Sequence, residues 1–346
     1  MENNYWIVDD LLIFKPKFNE ELTDYYDIIN KYNKIMFSNY NDPLIAIETN
    51  NLWINKKYSN NYDGCYFNKE IDLSNNINLT YLNFGGCFNQ KIDLSNNINL
   101  TYLTFEWYFN QKIDLSNNIH LTHLFFGYGF NKEIDLSNNI NLTYLIFTNN
   151  FNQEIDLSNN INLTQLTFGC YFNKEIDLSN NINLTHLTFE WHFNQEIDLS
   201  NNINLTHLTF GWHFNQKIDL SNNINLTHLT FRYYFNQEII IPLNLKSLTM
   251  NYCNNQYIID NLHNNIKKLY IYKTELDLDN LPNSIKKLTI EYYEKELNNL
   301  PNSIEYLEII YYKLKIKKFP KNLKTIKCDE EYKYLNDFKD YEVNYH

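Results

Sequence analysis

Residues 88–108 read FNQKIDLSNNINLTYLTFEWY, and the line returns with only a few columns changed in each neighbouring stretch. Phe-Asn opens it at Phe67, Phe88, Phe109, Phe130, Phe151, Phe172, Phe193, Phe214 and Phe235, always 21 residues apart. A fixed period of this length marks a stacked array in which each unit buries its apolar side against the next. One unit orders too many residues for the few apolar side chains it can bury, so it cannot stand alone. Stacking is therefore obligatory.

The apolar spacing sets the coarse structure of one coil. In Leu100-Thr-Tyr-Leu103-Thr-Phe105, Leu103 and Phe105 alternate with polar neighbours, which is strand periodicity. Phe109, Ile113, Leu115 and Ile119 are expected to line the rest of the coil interior. Asp114 to Asn118 is turn chemistry, because Asp, Ser and Asn side chains bond to nearby backbone. The return side has no room for a long helix, so turns or a short strand at Ile-Asp-Leu are expected there. The fold class that follows is a repeat solenoid of stacked parallel strands.

The array continues in worn form after Phe235. The second apolar residue of each strand steps by 21 from Leu82 to Leu229, then by 19, 21, 19, 19 and 19 through Leu248, Leu269, Leu288 and Leu307 to Ile326. That spacing predicts thirteen strands. Leu-Pro-Asn-Ser at Leu281 and Leu300 replaces the Ser-Asn-Asn-Ile turn, where proline needs no strand partner. Three regions are expected: 1–60, 61–240 with near-identical 21-residue repeats, and 241–346 with degenerate 19–21-residue repeats and a C-terminal cap. For residues 1–60 two readings stand. Leu12-x-Phe14-xxx-Phe18-Asn19 repeats the spacing of Leu82-x-Phe84-xxx-Phe88-Asn89, which suggests an N-terminal cap of degenerate repeats. Leu22, Tyr25, Tyr26, Ile29 and Tyr32 sit at helical spacing, which suggests a helical segment.

Composition narrows the function. The formal charge is −12, divided as −4 over residues 1–66, −9 over 67–240 and +1 over 241–346. An acidic centre repels phosphate backbones, so nucleic acid is not the expected partner. The lysines after residue 240 are matched in number by carboxylates, so no basic patch is expected there. No run of eighteen apolar residues exists, and Met1 to Asp10 lacks the order of a signal peptide, so a cytoplasmic protein without a membrane span is expected. Five cysteines without a CxxC pair read as reduced thiols.

Phe-Asn-Gln with an apolar residue two places on, Leu-Pro-Asn-Ser, and Leu-Thr-His-Leu-Thr-Phe-Gly together resemble the FNIP repeat of amoebae and giant viruses. That family is similar to leucine-rich repeats and is often joined to an F-box. The resemblance covers Phe67 to about Cys328. Two departures bear on curvature: the proline after Phe-Asn-Gln is here Lys or Glu, and the asparagine falls two places later than in the general leucine-rich pattern. The resemblance implies a leucine-rich-repeat-like solenoid, cytoplasmic in the host cell where the source is viral. It also allows residues 1–60 to be an F-box-like segment, although no Leu-Pro followed by clustered leucines is present.

Several columns are candidates for chemistry. Asp72, Asp93, Asp114, Asp135, Asp156, Asp177, Asp198 and Asp219 form either a calcium ladder or a repeated turn cap. The cap is favoured because the glycine-rich loops of calcium coils are missing. Asn68 and its equivalents are expected to form a buried amide ladder. His123, His186, His207 and His228 share the first strand column with Tyr81, Tyr102, Tyr144 and Gln165. A surface aromatic ladder is favoured over metal, since ligands in one straight row suit a tetrahedral site poorly. After the strands come Glu106-Trp107-Tyr108, Glu190-Trp191-His192, Gly211-Trp212-His213 and Arg232-Tyr233-Tyr234. Either these make a partner surface, together with Tyr102, His186, His207 and His228, or they stack between coils and close the core edge.

No HExxH, P-loop or GxGxxG is present, and Ser, His and Asp recur in columns without converging as one set, so neither catalysis nor a cofactor is expected. The leading reading is a protein-protein interaction scaffold for an unidentified protein. The alternative is a substrate-recruiting adaptor of a ubiquitin ligase, binding a cullin adaptor through its N-terminal segment. A glycan-binding surface is the third reading.

Overall fold

Each central coil contributes one four-residue strand, and from His123 to Phe231 the second and fourth side chains of each are buried while the first and third reach the surface, as in Tyr144–Phe147 and His207–Phe210. A chain that must bury one face and wet the other settles this way because strand side chains alternate. The protein is described by a computed structural model that covers residues 4–50 and 64–346. Residues 51–60 of the expected N-terminal region lie outside the described residues.

The chain divides into two units, Met1–Leu184 and Thr185–His346. In the first unit, β1 (Tyr5–Val8) runs antiparallel to β2 (Leu11–Phe14). A four-residue helix α1 (Tyr26–Ile29), β3 (Lys34–Phe37) and helix α2 (Pro43–Asn50) follow. Then come β4 (Tyr81–Phe84), β5 (Tyr102–Phe105), β6 (His123–Phe126), β7 (Tyr144–Phe147) and β8 (Gln165–Phe168). From β2 to β8 every neighbouring pair is parallel and in register, Leu82 on Leu103 on Leu124 on Leu145 on Leu166. Phe14 stacks on Phe37 and Phe18 on Phe67, and Asn19 Oδ1 accepts the Asn68 N–H at 3.0 Å. The first coil thus occupies the same columns as the later ones.

The second unit holds β9 (His186–Phe189), β10 (His207–Phe210), β11 (His228–Phe231), β12 (Ser247–Asn251), helix α3 (Gln256–Asp260) and β13 (Lys268–Tyr272). It continues through β14 (Lys287–Glu291), β15 (Tyr306–Ile310), β16 (Thr325–Cys328) and β17 (Glu342–Tyr345). All of these pair in parallel, in order. The architecture is the expected solenoid of stacked parallel strands. On the return side of the Phe-Asn coils the Ser-Asn stretches are turns, and Ile-Asp-Leu forms no strand.

Two columns of phenylalanine fill each coil. In the first unit Phe105 lies 5.3 Å from Phe84 and 5.7 Å from Phe126, while Phe109 lies 6.1 Å from both Phe88 and Phe130. Within one coil Phe105 and Phe109 approach to 3.8 Å, so the columns interlock. Such offset stacks add to the area they bury.

Two expectations about the interior need correction. Ile119 does not line it: it is 45% exposed, and the residue before it, Asn118, is fully buried. The same exchange holds for Asn97 and Ile98, Asn139 and Ile140, and Asn160 and Ile161. The cause is a debt of carbonyls inside the turn. Asn118 Nδ2 donates to Leu94 O at 3.0 Å and to Asn97 O at 2.9 Å, both in the preceding coil, and buried carbonyls must be paired. An isoleucine could bury more area but would leave each with a single partner, the Asn97 N–H on Leu94 O and the Leu100 N–H on Asn97 O. The second correction concerns Asn68 and its equivalents. They do form a ladder, with each Oδ1 accepting the next coil's backbone N–H, as Asn110 N donates to Asn89 Oδ1 at 2.8 Å. This ladder is at the surface, exposed to half-buried. The buried amide ladder is the Asn97 column.

Candidate binding surface

The aspartates act as turn caps. Asp114 Oδ1 accepts the Ser116 N–H at 2.9 Å, and Asp135 and Asp156 repeat the bond with Ser137 and Ser158 at 2.8 Å. These hydrogen bonds hold the carboxyls below the usual aspartate range, outweighing repulsion from the aspartates of adjacent coils.

The first strand column is an aromatic ladder. In the first unit Tyr81 stacks on Tyr102 at 4.6 Å, Tyr102 on His123 at 5.6 Å, and His123 on Tyr144 at 4.5 Å. In the second unit His186, His207 and His228 stack at 4.3 and 4.2 Å. Each ring is held from the side. Thr206 Oγ1 lies 3.0 Å from Thr185 O, to which it donates, and 2.9 Å from His207 Nδ1. A hydroxyl has one proton, and here it goes to the carbonyl, so His207 Nδ1 must carry a proton and donate to Oγ1. Thr227 repeats this with Thr206 O and His228. Desolvation, then the charges of His228 and His186, push His207 down to about 4, so the ring is neutral at pH 7. The ring planes lie within 9° of parallel, which aims the remaining lone pairs side by side and not at one point.

The residues after the strands fall into two groups. In the first unit Glu106 is buried, 5% exposed, and its carboxylate accepts a hydrogen bond from Asn39 Nδ2, while Trp107 and Tyr108 are exposed. In the second unit the rings form rows of their own. Trp191 stacks on Trp212 at 4.6 Å and Trp212 on Tyr233 at 5.0 Å. Beside them His192 stacks on His213 at 4.8 Å, and His213 meets Tyr234 at 5.3 Å. Arg232 reaches over one coil to pair with Glu190 at 3.2 Å. Gly211 lies between them, where a Cβ would come within 2.0 Å of Glu190 O, so only glycine fits. Stacking covers both faces of Trp212 and leaves ring edges for a ligand.

Sequence reasoning missed two surface features. One is the row of half-exposed isoleucines, Ile77 through Ile182 in the first unit. The other is local charge. Residues 241–346 balance in total, yet Lys246, Lys267 and Lys268 form no ion pair among the described residues, while Lys286, Lys287, Lys324 and Lys327 all do. The expectation of no basic patch fails because counting charge over a hundred residues ignores which coils carry it. The doublets Lys267-Lys268 and Lys286-Lys287 were the available signal. No helix among the described residues is long and apolar enough to cross a membrane.

The FNIP Repeat family model matches residues 272–312, the coils that carry Leu-Pro-Asn-Ser, and so a narrower span than the resemblance read from the Phe-Asn array. No curated protein matches the sequence. Among solved structures, the functional domain of InlJ from Listeria monocytogenes, which includes a cysteine ladder, matches with a TM-score of 0.53 at 21% identity, over 77% of this chain and 62% of that one. CroV588, a circular leucine-rich-repeat protein, matches with a TM-score of 0.46 at 25% identity, over 95% and 61%. The internalin InlF from Listeria monocytogenes matches with a TM-score of 0.47 at 18% identity, over 83% and 84%. The chain spans about three fifths of the length of the first two. The fold is of the leucine-rich-repeat type.

Proposed function

We propose that the protein is a non-catalytic scaffold that binds another protein on its repeat surface. The observation that carries this reading is the row Trp191, Trp212 and Tyr233, built outside the phenylalanine core and supported by the Glu190–Arg232 pair. The core is already closed by Phe189 and Phe193, 3.8 Å apart, and by Phe210 and Phe214 at the same distance. Indoles beyond it are therefore available to a partner, and aromatic residues with arginine are the side chains that dominate protein interfaces. Mutual stacking speaks against glycans, which lie on open ring faces. Tyr102, Trp107 and Tyr108 extend the same reading to the first unit. We read residues 1–60 as a cap, because Phe14, Phe18 and Asn19 stand in the repeat columns. The ligase-adaptor alternative gains no support from the described residues there.

The test is capture of cross-linked partners by the full chain and by a Trp191→Ala, Trp212→Ala variant. Loss of the bound protein, by about 30-fold if these are hot spots of ~2 kcal/mol, is expected. Unchanged capture, or none by either protein, would remove the proposal. A cullin adaptor among the captured proteins would transfer it to the alternative.

A further inference from the structure

The lysines of the second unit are treated unequally. Glu305 pairs with Lys286 at 2.5 Å and Lys324 at 2.8 Å, and Glu308 lies 3.7 Å from Lys287 and 3.2 Å from Lys327. Lys287 also rests 4.3 Å over the Tyr306 ring. One coil earlier this neutralisation stops. Lys246, Lys267 and Lys268 are exposed and without an ion pair among the described residues. They stand together at the starts of β12 and β13: the Lys267 and Lys268 N–H groups both donate to Lys246 O, at 2.8 and 2.9 Å. Lys268 lies beside Ser247 in the register, and Ser247 beside His228. The charges of Lys268 and Lys246 reach that imidazole and, after desolvation, help to hold it neutral. A protein of net charge −12 thus keeps three like charges on adjoining strands, where they repel, while it pairs the lysines in the same part of the following strands, Lys286, Lys287, Lys324 and Lys327.

We propose that the sheet face around Lys246, Lys267 and Lys268 is a docking site for a carboxylate-rich extended segment of a partner protein. The inference rests on the scaffold reading and names the chemistry of its partner. Charge complementarity selects the sign of the ligand. The size of the patch selects its kind: three lysines on two adjoining strands suit a short segment, and the strand lysines beyond them are already held by Glu305 and Glu308.

The experiment is a fluorescence-anisotropy titration of the full chain with a labelled decapeptide of alternating Glu and Ser, at 50 and 300 mM NaCl. The comparison ligands are the Gln-Ser decapeptide and a ten-residue oligo-dT. The Glu peptide is expected to bind at least tenfold tighter than the Gln peptide and to weaken with salt, as screened charges must. The variant Lys246→Gln, Lys267→Gln, Lys268→Gln is expected to lose at least tenfold, and Lys324→Gln less than twofold. Should the triple variant not fold, Lys267→Glu, Lys268→Glu serves instead, and it should exchange the Glu peptide for a Lys-Ser peptide. Undiminished Glu-peptide binding by a folded variant overturns the proposal. So does oligo-dT binding of equal strength through the same lysines, which would make the site one for nucleic acid. The titration needs no cellular partner. If it fails while the Trp191 and Trp212 test captures one, the scaffold reading stands and this inference falls.

Discussion

From Phe67 to Phe235 each coil copies the last, whereas from Leu245 to Ile326 each coil meets the same packing demands with different residues. In the copied coils a buried asparagine pairs two carbonyls of the preceding coil, as Asn139 does with Leu115 O at 3.0 Å and Asn118 O at 2.9 Å. In the worn coils the serine of Leu-Pro-Asn-Ser takes that place and pairs one: Ser284 Oγ donates to Ile266 O at 2.8 Å, Ser303 Oγ to Ile285 O at 2.7 Å. The next residue inward follows at once, Ile285 or Ile304, where the copied coil first inserts an exposed pair such as Ile98-Asn99. Loss of that pair shortens the step from 21 to 19. The Phe-Asn column becomes tyrosine whose hydroxyl finds a backbone carbonyl, as Tyr293 Oη does at Leu276 O, 2.9 Å away. The worn strands β12 to β15 run one residue longer and are followed by left-handed residues, Tyr252, Lys273, Tyr292 and Tyr311, with φ from 44° to 53°. A solenoid coil is therefore specified by what each column must satisfy, and more than one side chain can satisfy it.

The sharpest way to break this comparison is to remove a ring from the copied coils and a hydroxyl from the worn ones. Phe147→Ala, at a fully buried position stacked on Phe126, Phe151 and Phe168, should cost ~3–5 kcal/mol in urea denaturation. Tyr312→Phe keeps the ring, gives up both the bond to Lys295 O and the one accepted from the Leu297 N–H, and should cost ~1–3 kcal/mol. Equal losses would show that the two columns are not equivalent solutions.

Next in size are the turn donors. Asn139→Ala removes the side-chain bond to each of two buried carbonyls, which keep the N–H groups of Asn118 and Leu121, and should cost about twice as much as Ser303→Ala, which removes one, at roughly 0.5–1.5 kcal/mol for each bond. Hydrogen exchange at the flanking coils reads the difference locally, and equal costs would contradict the two-donor account. Smaller and opposite in sign, Lys273→Gly should raise the urea midpoint. A left-handed backbone costs a β-carbon ~1 kcal/mol, against the weaker contact of Lys273 over Tyr252 at 5.3 Å.

The smallest effect is a pH dependence confined to the copied coils. The folded state holds His207 at about 4, below the ordinary histidine value of 6.5, so the unfolded chain takes up a proton first as pH falls. Stability should drop between roughly pH 6.5 and 4 and then level off with respect to this group. His207→Gln should flatten that window in thermal melts. The same column carries Lys268 and Lys287 in the worn coils, so no histidine step is expected there. A slope that survives the substitution would assign the effect elsewhere.

The period, the strand column and both phenylalanine columns were legible in the sequence, because strand alternation is a local rule and the repeat states it many times. Phe14, Phe18 and Asn19 could be aligned with later coils by spacing alone. The turn was misread for a physical reason. Without a period of two or 3.6, nothing in Ser-Asn-Asn-Ile says which side chain points inward, and hydrophobicity favoured isoleucine. Asparagine wins because it answers two carbonyls 21 and 24 residues earlier. The doublet Lys267-Lys268 was visible but looked the same as Lys286-Lys287, since which of them lacks an ion pair among the described residues depends on where Glu305 and Glu308 fall.

The sequence by itself thus determined a stacked array, its step and the apolar lining of its strands, all consequences of burial repeated at fixed spacing. Only the tertiary structure decided which turn residue is buried, which rings cover one another and which charges go unpaired. Those outcomes depend on hydrogen bonds and ion pairs between coils, and they exist only once one coil lies against the next.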